Sequence, residues 1–115
     1  MPDALNKDLT KRTPGEELWL WRQALGYSGI KAADYMGIGR NRYWSMEADR
    51  IDAAFKYRGD ATVELLFKLA RRRTGWGLRE TARRVGVSHV TLLTWERMGD
   101  QTLMDWWVSR GFTFG

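Results

Sequence analysis

Apolar residues recur along this chain at helical spacing, and nothing in it reads as a sheet. Leu18, Trp21 and Leu25 stand at i, i+3 and i+7, which predicts one face of a helix. The same period returns in Val63, Leu66, Phe67 and Ala70. The first of these helices has a clear start in Thr13-Pro14-Gly15-Glu16. These supply an N-cap hydroxyl, a first-turn proline and a glutamate placed to complete a capping box. The second should begin at about Thr62. Gly26 and Gly75 sit where each helix should stop. Two shorter helices should follow each long one, over 29–36 and 40–48, then 78–85 and 89–97. Gly37 and Gly86 fall in the turns between them, where a positive φ is expected. Ala33 and Ala82 lie four residues earlier, where two helices must cross closely. Residues 111–115 fit no pattern.

These signals repeat at one interval. Sliding the chain by 49 residues superposes Leu20 on Leu69, Arg22 on Arg71, Gly26 on Gly75, Ala33 on Ala82, Gly37 on Gly86 and Glu47 on Glu96. Apolar character also agrees at Met36/Val85, Ile38/Val87 and Tyr43/Leu92. The identities fall where structure is demanding, which argues for two copies of one trihelical unit. The predicted fold is all-α, with two helix-turn-helix units packed into one compact body. Residues 1–12 are expected to be a mobile N-terminal arm, 13–60 the first unit and 61–115 the second. The link over 51–62 is short, so the units are expected to pack rather than swing.

Composition narrows the chemistry. A hydrophobic share of 43% in 115 residues supports a globular core and excludes a disordered chain. No apolar run approaches the roughly 20 residues a membrane span needs. The start shows no signal-peptide pattern and cysteine is absent, which is the pattern expected of a cytoplasmic protein. Without cysteine, and with one histidine, there is no candidate metal site or thiol nucleophile. No nucleophile–base spacing or phosphate loop is present either, so no catalytic residue and no cofactor is expected. Net charge is +5, unevenly spread. Residues 1–60 hold 10 Lys+Arg and 9 Asp+Glu, whereas residues 61–115 hold 9 and 5. A basic balance suits a polyanionic partner.

The second unit resembles the lambda-repressor/Cro-like helix-turn-helix family. The resemblance lies in Leu78-Arg79-Glu80-Thr81-Ala82-Arg83-Arg84-Val85-Gly86-Val87-Ser88, then Thr91-Leu92 and Trp95-Glu96. The first unit is a more divergent copy, in Ala32-Ala33, Met36-Gly37-Ile38-Gly39, Tyr43 and Met46-Glu47. The resemblance implies that residues 40–46 and 89–95 are recognition helices for the major groove of double-stranded DNA. Base-facing positions would be Arg40, Asn41, Arg42 and Ser45 in the first unit. In the second they would be Ser88, His89, Val90, Thr91 and Thr94. It also implies an ion pair between first helix and recognition helix in each unit, Arg22 with Glu47 and Arg71 with Glu96. One departure is that Gly29 and Leu78 stand where the family often places glutamine. Backbone anchoring would then come from helix N-terminal amides and from Lys/Arg.

The arginine runs Arg71-Arg72-Arg73 and Arg83-Arg84, with Arg79, are the candidate phosphate contacts. Their alternative is a solvated helix face. Lys7, Lys11 and Arg12 are candidates for a minor-groove arm. The seven tryptophans read as core and packing residues. Trp106, Trp107, Phe112 and Phe114 are the candidates for a homodimer contact, the alternative being that the tail docks on its own unit. The function expected from the resemblance is transcriptional regulation, by occluding a promoter, of the kind found in bacteria, phages and plasmids. The alternatives are a DNA-binding accessory of recombination or plasmid or phage maintenance, and a protein-binding inhibitor module reusing the fold.

Overall fold

A computed structural model describes residues 5–115. The described residues form two units: Arg12–Ala61, and residues 5–11 together with Thr62–Gly115. Both are helical, with no strand among the described residues.

The first unit contains α1 (Pro14–Leu25), α2 (Gly29–Met36) and α3 (Arg40–Glu47). The Thr13 hydroxyl accepts from the Glu16 amide at 3.2 Å, and the Glu16 carboxylate accepts from the Thr13 amide at 3.0 Å, completing the capping box. Ser28 caps α2 by accepting from the Lys31 amide at 3.1 Å. Leu18, Ala32, Ala33, Tyr43 and Met46 form the core. Each large side chain there contributes about 1.5–3 kcal/mol of burial. Trp21, Tyr27, Met36, Ile38, Ala53 and Phe55 pack around them, half-buried. Leu25, expected on the inner face, is half-exposed because it is the last residue of its helix.

The second unit contains α4 (Val63–Thr74), α5 (Leu78–Val85), α6 (His89–Met98) and α7 (Gln101–Ser109). The starts at 14, 29 and 40 recur at 63, 78 and 89, an offset of 49 at every helix. The ends of the first two helices recur at the same offset, 25 and 36 becoming 74 and 85. Gly37 and Gly86 adopt φ values of 71° and 94° in the two equivalent turns. A side chain there would meet the steric penalty of the left-handed region. Phe67, Ala70, Ala82, Leu92, Leu103, Trp107 and Phe112 are buried. Val63, at the first position of α4, is exposed.

Helix α7 has no counterpart in the first unit. Asp100 starts it, its carboxylate accepting from the amides of Thr102 at 2.8 Å and Leu103 at 3.2 Å. Leu103 and Trp107, four residues apart, carry its buried face. The Trp107 ring stacks on Trp76 at 27° and meets Phe112 edge-on at 4.9 Å.

The free N-terminal arm expected over 1–12 is not what the described part of it forms. Residues 1–4 lie outside the described residues. Over 5–11 the chain is held to the C-terminal segment. The Leu9 amide donates to the Thr113 carbonyl at 2.9 Å, and the Thr113 amide donates to the Lys7 carbonyl at 2.8 Å. Leu9 itself is fully buried. The Arg73 guanidinium donates to three carbonyls of this segment: Asn6 at 2.8 Å, Asp8 at 2.9 Å and Lys11 at 2.7 Å. The Lys7 ammonium donates to the Arg110 carbonyl at 2.7 Å. Thr10 lowers the Asp8 pKa, its hydroxyl and then its amide donating to the carboxylate. Arg12, the last residue of the expected arm, belongs to the first unit and pairs there with Glu17. One buried leucine and a guanidinium bonded to three carbonyls therefore order a segment whose composition reads as a polar tail. No helix among the described residues is long and apolar enough to cross a membrane.

Candidate nucleic-acid interface

The second short helix of each unit is braced by a buried carboxylate at its C-terminal end. In the first unit, Arg22 donates to Glu47 in a fork, Nε at 2.6 Å and Nη2 at 3.0 Å. In the second, Arg71 grips Glu96 with the same atoms, at 2.6 and 3.1 Å. The carboxylates are 6% and 1% exposed, so each needs its guanidinium. Both pairs expected from the resemblance are thus present.

Glu47 has a further donor that the alignment with Leu92 did not suggest. The Tyr43 hydroxyl donates to Glu47 Oε2 at 2.6 Å inside the core. Burial, and then this bond, push the Tyr43 pKa well above the ordinary phenol value. For Arg22, burial opposes the charged form. The hydrogen bond and the charge of Glu47 together outweigh it, and its pKa rises.

With the C-terminal end of α3 anchored, Arg40, Asn41 and Arg42 at its N-terminal end are all exposed, and Ser45 one turn on is half-buried. No acidic residue stands in its first turn. On α6, Val90 and Thr94 are exposed, while His89 and Thr91 are half-buried. Ser88 caps α6 by accepting from the Thr91 amide at 3.1 Å, and its hydroxyl donates to the Thr91 hydroxyl oxygen at 3.0 Å. The Thr94 hydroxyl donates to the Val90 carbonyl at 3.1 Å. Each unit therefore presents the N-terminal half of a short helix outward.

The helix before it differs between the units. A Cβ added to Gly29 would lie 1.8 Å from Cη2 of Trp44, so that indole fills the space a side chain at 29 would take. In the second unit the equivalent positions, 49 residues on, are Leu78 and Leu93. Glycine and tryptophan thus stand where the second unit carries two leucines. Trp44, expected in the core with the other tryptophans, is instead 44% exposed on the outward helix. The missing side chain at Gly29 was the available sequence signal.

The arginines expected to meet phosphate have separate fates. Arg71 is held by Glu96, and Arg73 holds residues 6–11, so the run Arg71-Arg72-Arg73 is not a continuous phosphate-binding strip. Successive helix residues point about 100° apart, which separates them. Arg72 is half-buried. Arg79 and Arg83 are exposed on α5. Arg83 and Arg84 both donate to Glu80, whose pKa is lowered by Arg83 first and by Arg84 in support. Arg84 also lies 4.1 Å over the Trp76 ring, a contact not anticipated from sequence. Trp107 and Phe112 are buried within their own unit, and Phe114 meets Phe67 edge-on at 5.3 Å. Trp106 is half-buried under Arg110. The tail thus docks on its own unit, which leaves Trp107 and Phe112 little surface for a partner. Comparison with family models, with curated proteins and with solved structures finds no match to this chain.

Proposed function

We propose that this chain binds double-stranded DNA through α3 and α6, as a regulator that occludes a promoter. It would do so as a divergent relative of the lambda-repressor/Cro-like family. The observation that carries the reading is the doubled geometry. At one interval of 49 residues, two short helices follow a glycine turn, carry a buried Arg–Glu pair near the C-terminal end and expose residues of their N-terminal half. A helix held by one end fits a major groove, which admits its width and offers a distinct pattern for each base pair. Arg79 on α5, with Arg40 and Arg42 on α3, supplies the charge for phosphate and base contacts. Such a partner would place the protein in the cytoplasm.

The test is selection of genomic fragments by the full chain, followed by a salt titration of the best duplex. Affinity should fall by about 0.9 log units per phosphate contact for each log unit of salt. Arg79→Ala should reduce that slope by about one contact without changing base preference. Failure to retain any duplex at low salt would sink the proposal. A second reading has one observation behind it. Val90, Leu93 and Met98 leave an apolar surface along α6, which suits a protein partner. Retention of a protein but no duplex would favour that reading.

A further inference from the structure

The two outward helices carry different chemistry at equivalent positions. Residues 40, 41, 42 and 45 of α3 correspond to 89, 90, 91 and 94 of α6. On α3 the exposed groups are two guanidiniums and a carboxamide, from Arg40, Arg42 and Asn41. A guanidinium fork matches O6 and N7 of guanine, and a carboxamide matches N6 and N7 of adenine. On α6, Val90 is 61% exposed and Thr94 is exposed with it, while His89 and Thr91 are half-buried. The hydroxyl proton of Thr94 is taken by the Val90 carbonyl, so Thr94 has no donor left for a base. Ser88 and Thr91 are bonded to each other. What α6 presents at positions 90 and 94 is therefore chiefly methyl groups. Thymine supplies the one apolar group on the base edges of the major groove, its C5 methyl.

From this contrast we infer that the chain recognises a non-palindromic duplex with unlike halves. One half holds purines read through the donors of α3, and the other holds thymines read through the methyl groups of α6. The inference rests on the duplex-binding reading above and gives it a substrate class. Two copies of one reading helix, as in a symmetric dimer, require matched half-sites. Two different reading helices on one chain do not. The same α6 surface could instead meet a protein, but the α3 surface, with two arginines and no first-turn acid, suits base edges and phosphate.

The experiment is selection from a random duplex library with the full chain, then binding measurements on the winning sequence. Two blocks of unlike sequence should emerge. Arg40→Ala should lower affinity at least about five-fold and relax only the guanine-bearing block. Arg40→Lys, which keeps the charge but loses the fork, should relax the same block with the salt slope unchanged. Replacing thymine by uracil in the other block removes the methyl alone, and should cost about four-fold per contacted base. That uracil penalty should shrink by about one contacted base in Val90→Ser, after circular dichroism has established that the variant is folded. A palindromic winner overturns the inference and leaves duplex binding standing. So does indifference to uracil, or relaxation of one block by both Arg40→Ala and Val90→Ser. If no duplex is enriched, or a protein is captured through the Val90 face instead, the underlying reading fails and the inference fails with it.

Discussion

Glu47 and Glu96 are each taken out of water at the end of an outward helix, and each is held by one arginine fork. Such a pair contributes little net stability, but removing one partner strands the other. Glu96→Ala leaves Arg71 in a site where its side chain is 17% exposed. The cost should be about 3–5 kcal/mol, somewhat less as solvent reaches the guanidinium. Urea denaturation of the full chain measures it, and an unchanged midpoint would remove the brace from the account. The first unit adds a phenol to the same carboxylate. Burial and the bond to Glu47 hold the Tyr43 pKa above the ordinary value of about 10. As alkali is added, the unfolded chain therefore loses this proton first. The stabilisation is complete below about pH 10 and declines above it. A fraction of the tyrosine absorbance should ionise only as the unit unfolds, and Tyr43→Phe should abolish that fraction. The Arg–Glu pairs were legible in the chain because a repeat places both at one spacing. The Tyr43 bond was not, because the same alignment set Tyr43 against Leu92 and read it as apolar.

Helix starts inside the repeated units were legible, and a local rule governs several of them. Thr13, Thr62, Ser28 and Ser88 all accept a hydrogen bond from a first-turn amide, a short-range contact that sequence displays. Helix α7 has such a cap in Asp100 and an inward pair in Leu103 and Trp107, but the adjacent Trp106 and Val108 blur that periodicity. The N-terminal segment was illegible for a different reason. Its order depends on Arg73, which is 62 to 67 residues away from the carbonyls it holds. The exchange between α2 and α3 is also an element-scale feature, and it is testable. Gly29→Leu would push its side chain into the Trp44 ring, and Trp44→Leu would uncover the first turn of α2. Each change alone should cost about 1–2 kcal/mol. Together they install the two residues the second unit carries at the equivalent positions, and leucine is the better helix former by nearly 1 kcal/mol. The double variant should therefore be more stable than either single one. A double-mutant cycle in urea with no favourable coupling would show that the indole and the glycine are independent.

At the scale of the molecule, chain order and unit order differ. Residues 5–11 precede the first unit yet belong with the second, through Leu9, Arg73 and the pairing of Asp8 with Thr113. The piece 62–115 alone therefore lacks part of its own structure. It would expose the groups that Leu9 covers and leave the Arg73 donors without their three carbonyls. A unit this small has little stability in reserve. Losing one buried leucine costs about 2–5 kcal/mol. The piece 62–115 should therefore melt broadly or not fold. Restoring the segment at the other end should repair it, and because Asp8 pairs with Thr113 in parallel, the connection from 115 must run back along the strap to residue 5. A permuted chain running 62–115, then a flexible glycine-serine linker long enough to run back along the segment, then 5–11, should melt cooperatively by circular dichroism. Leu9→Ala in that permutant should return it to the behaviour of the bare piece. If 62–115 melts as sharply and at the same temperature without the segment, the strap adds nothing and the unit is complete without it.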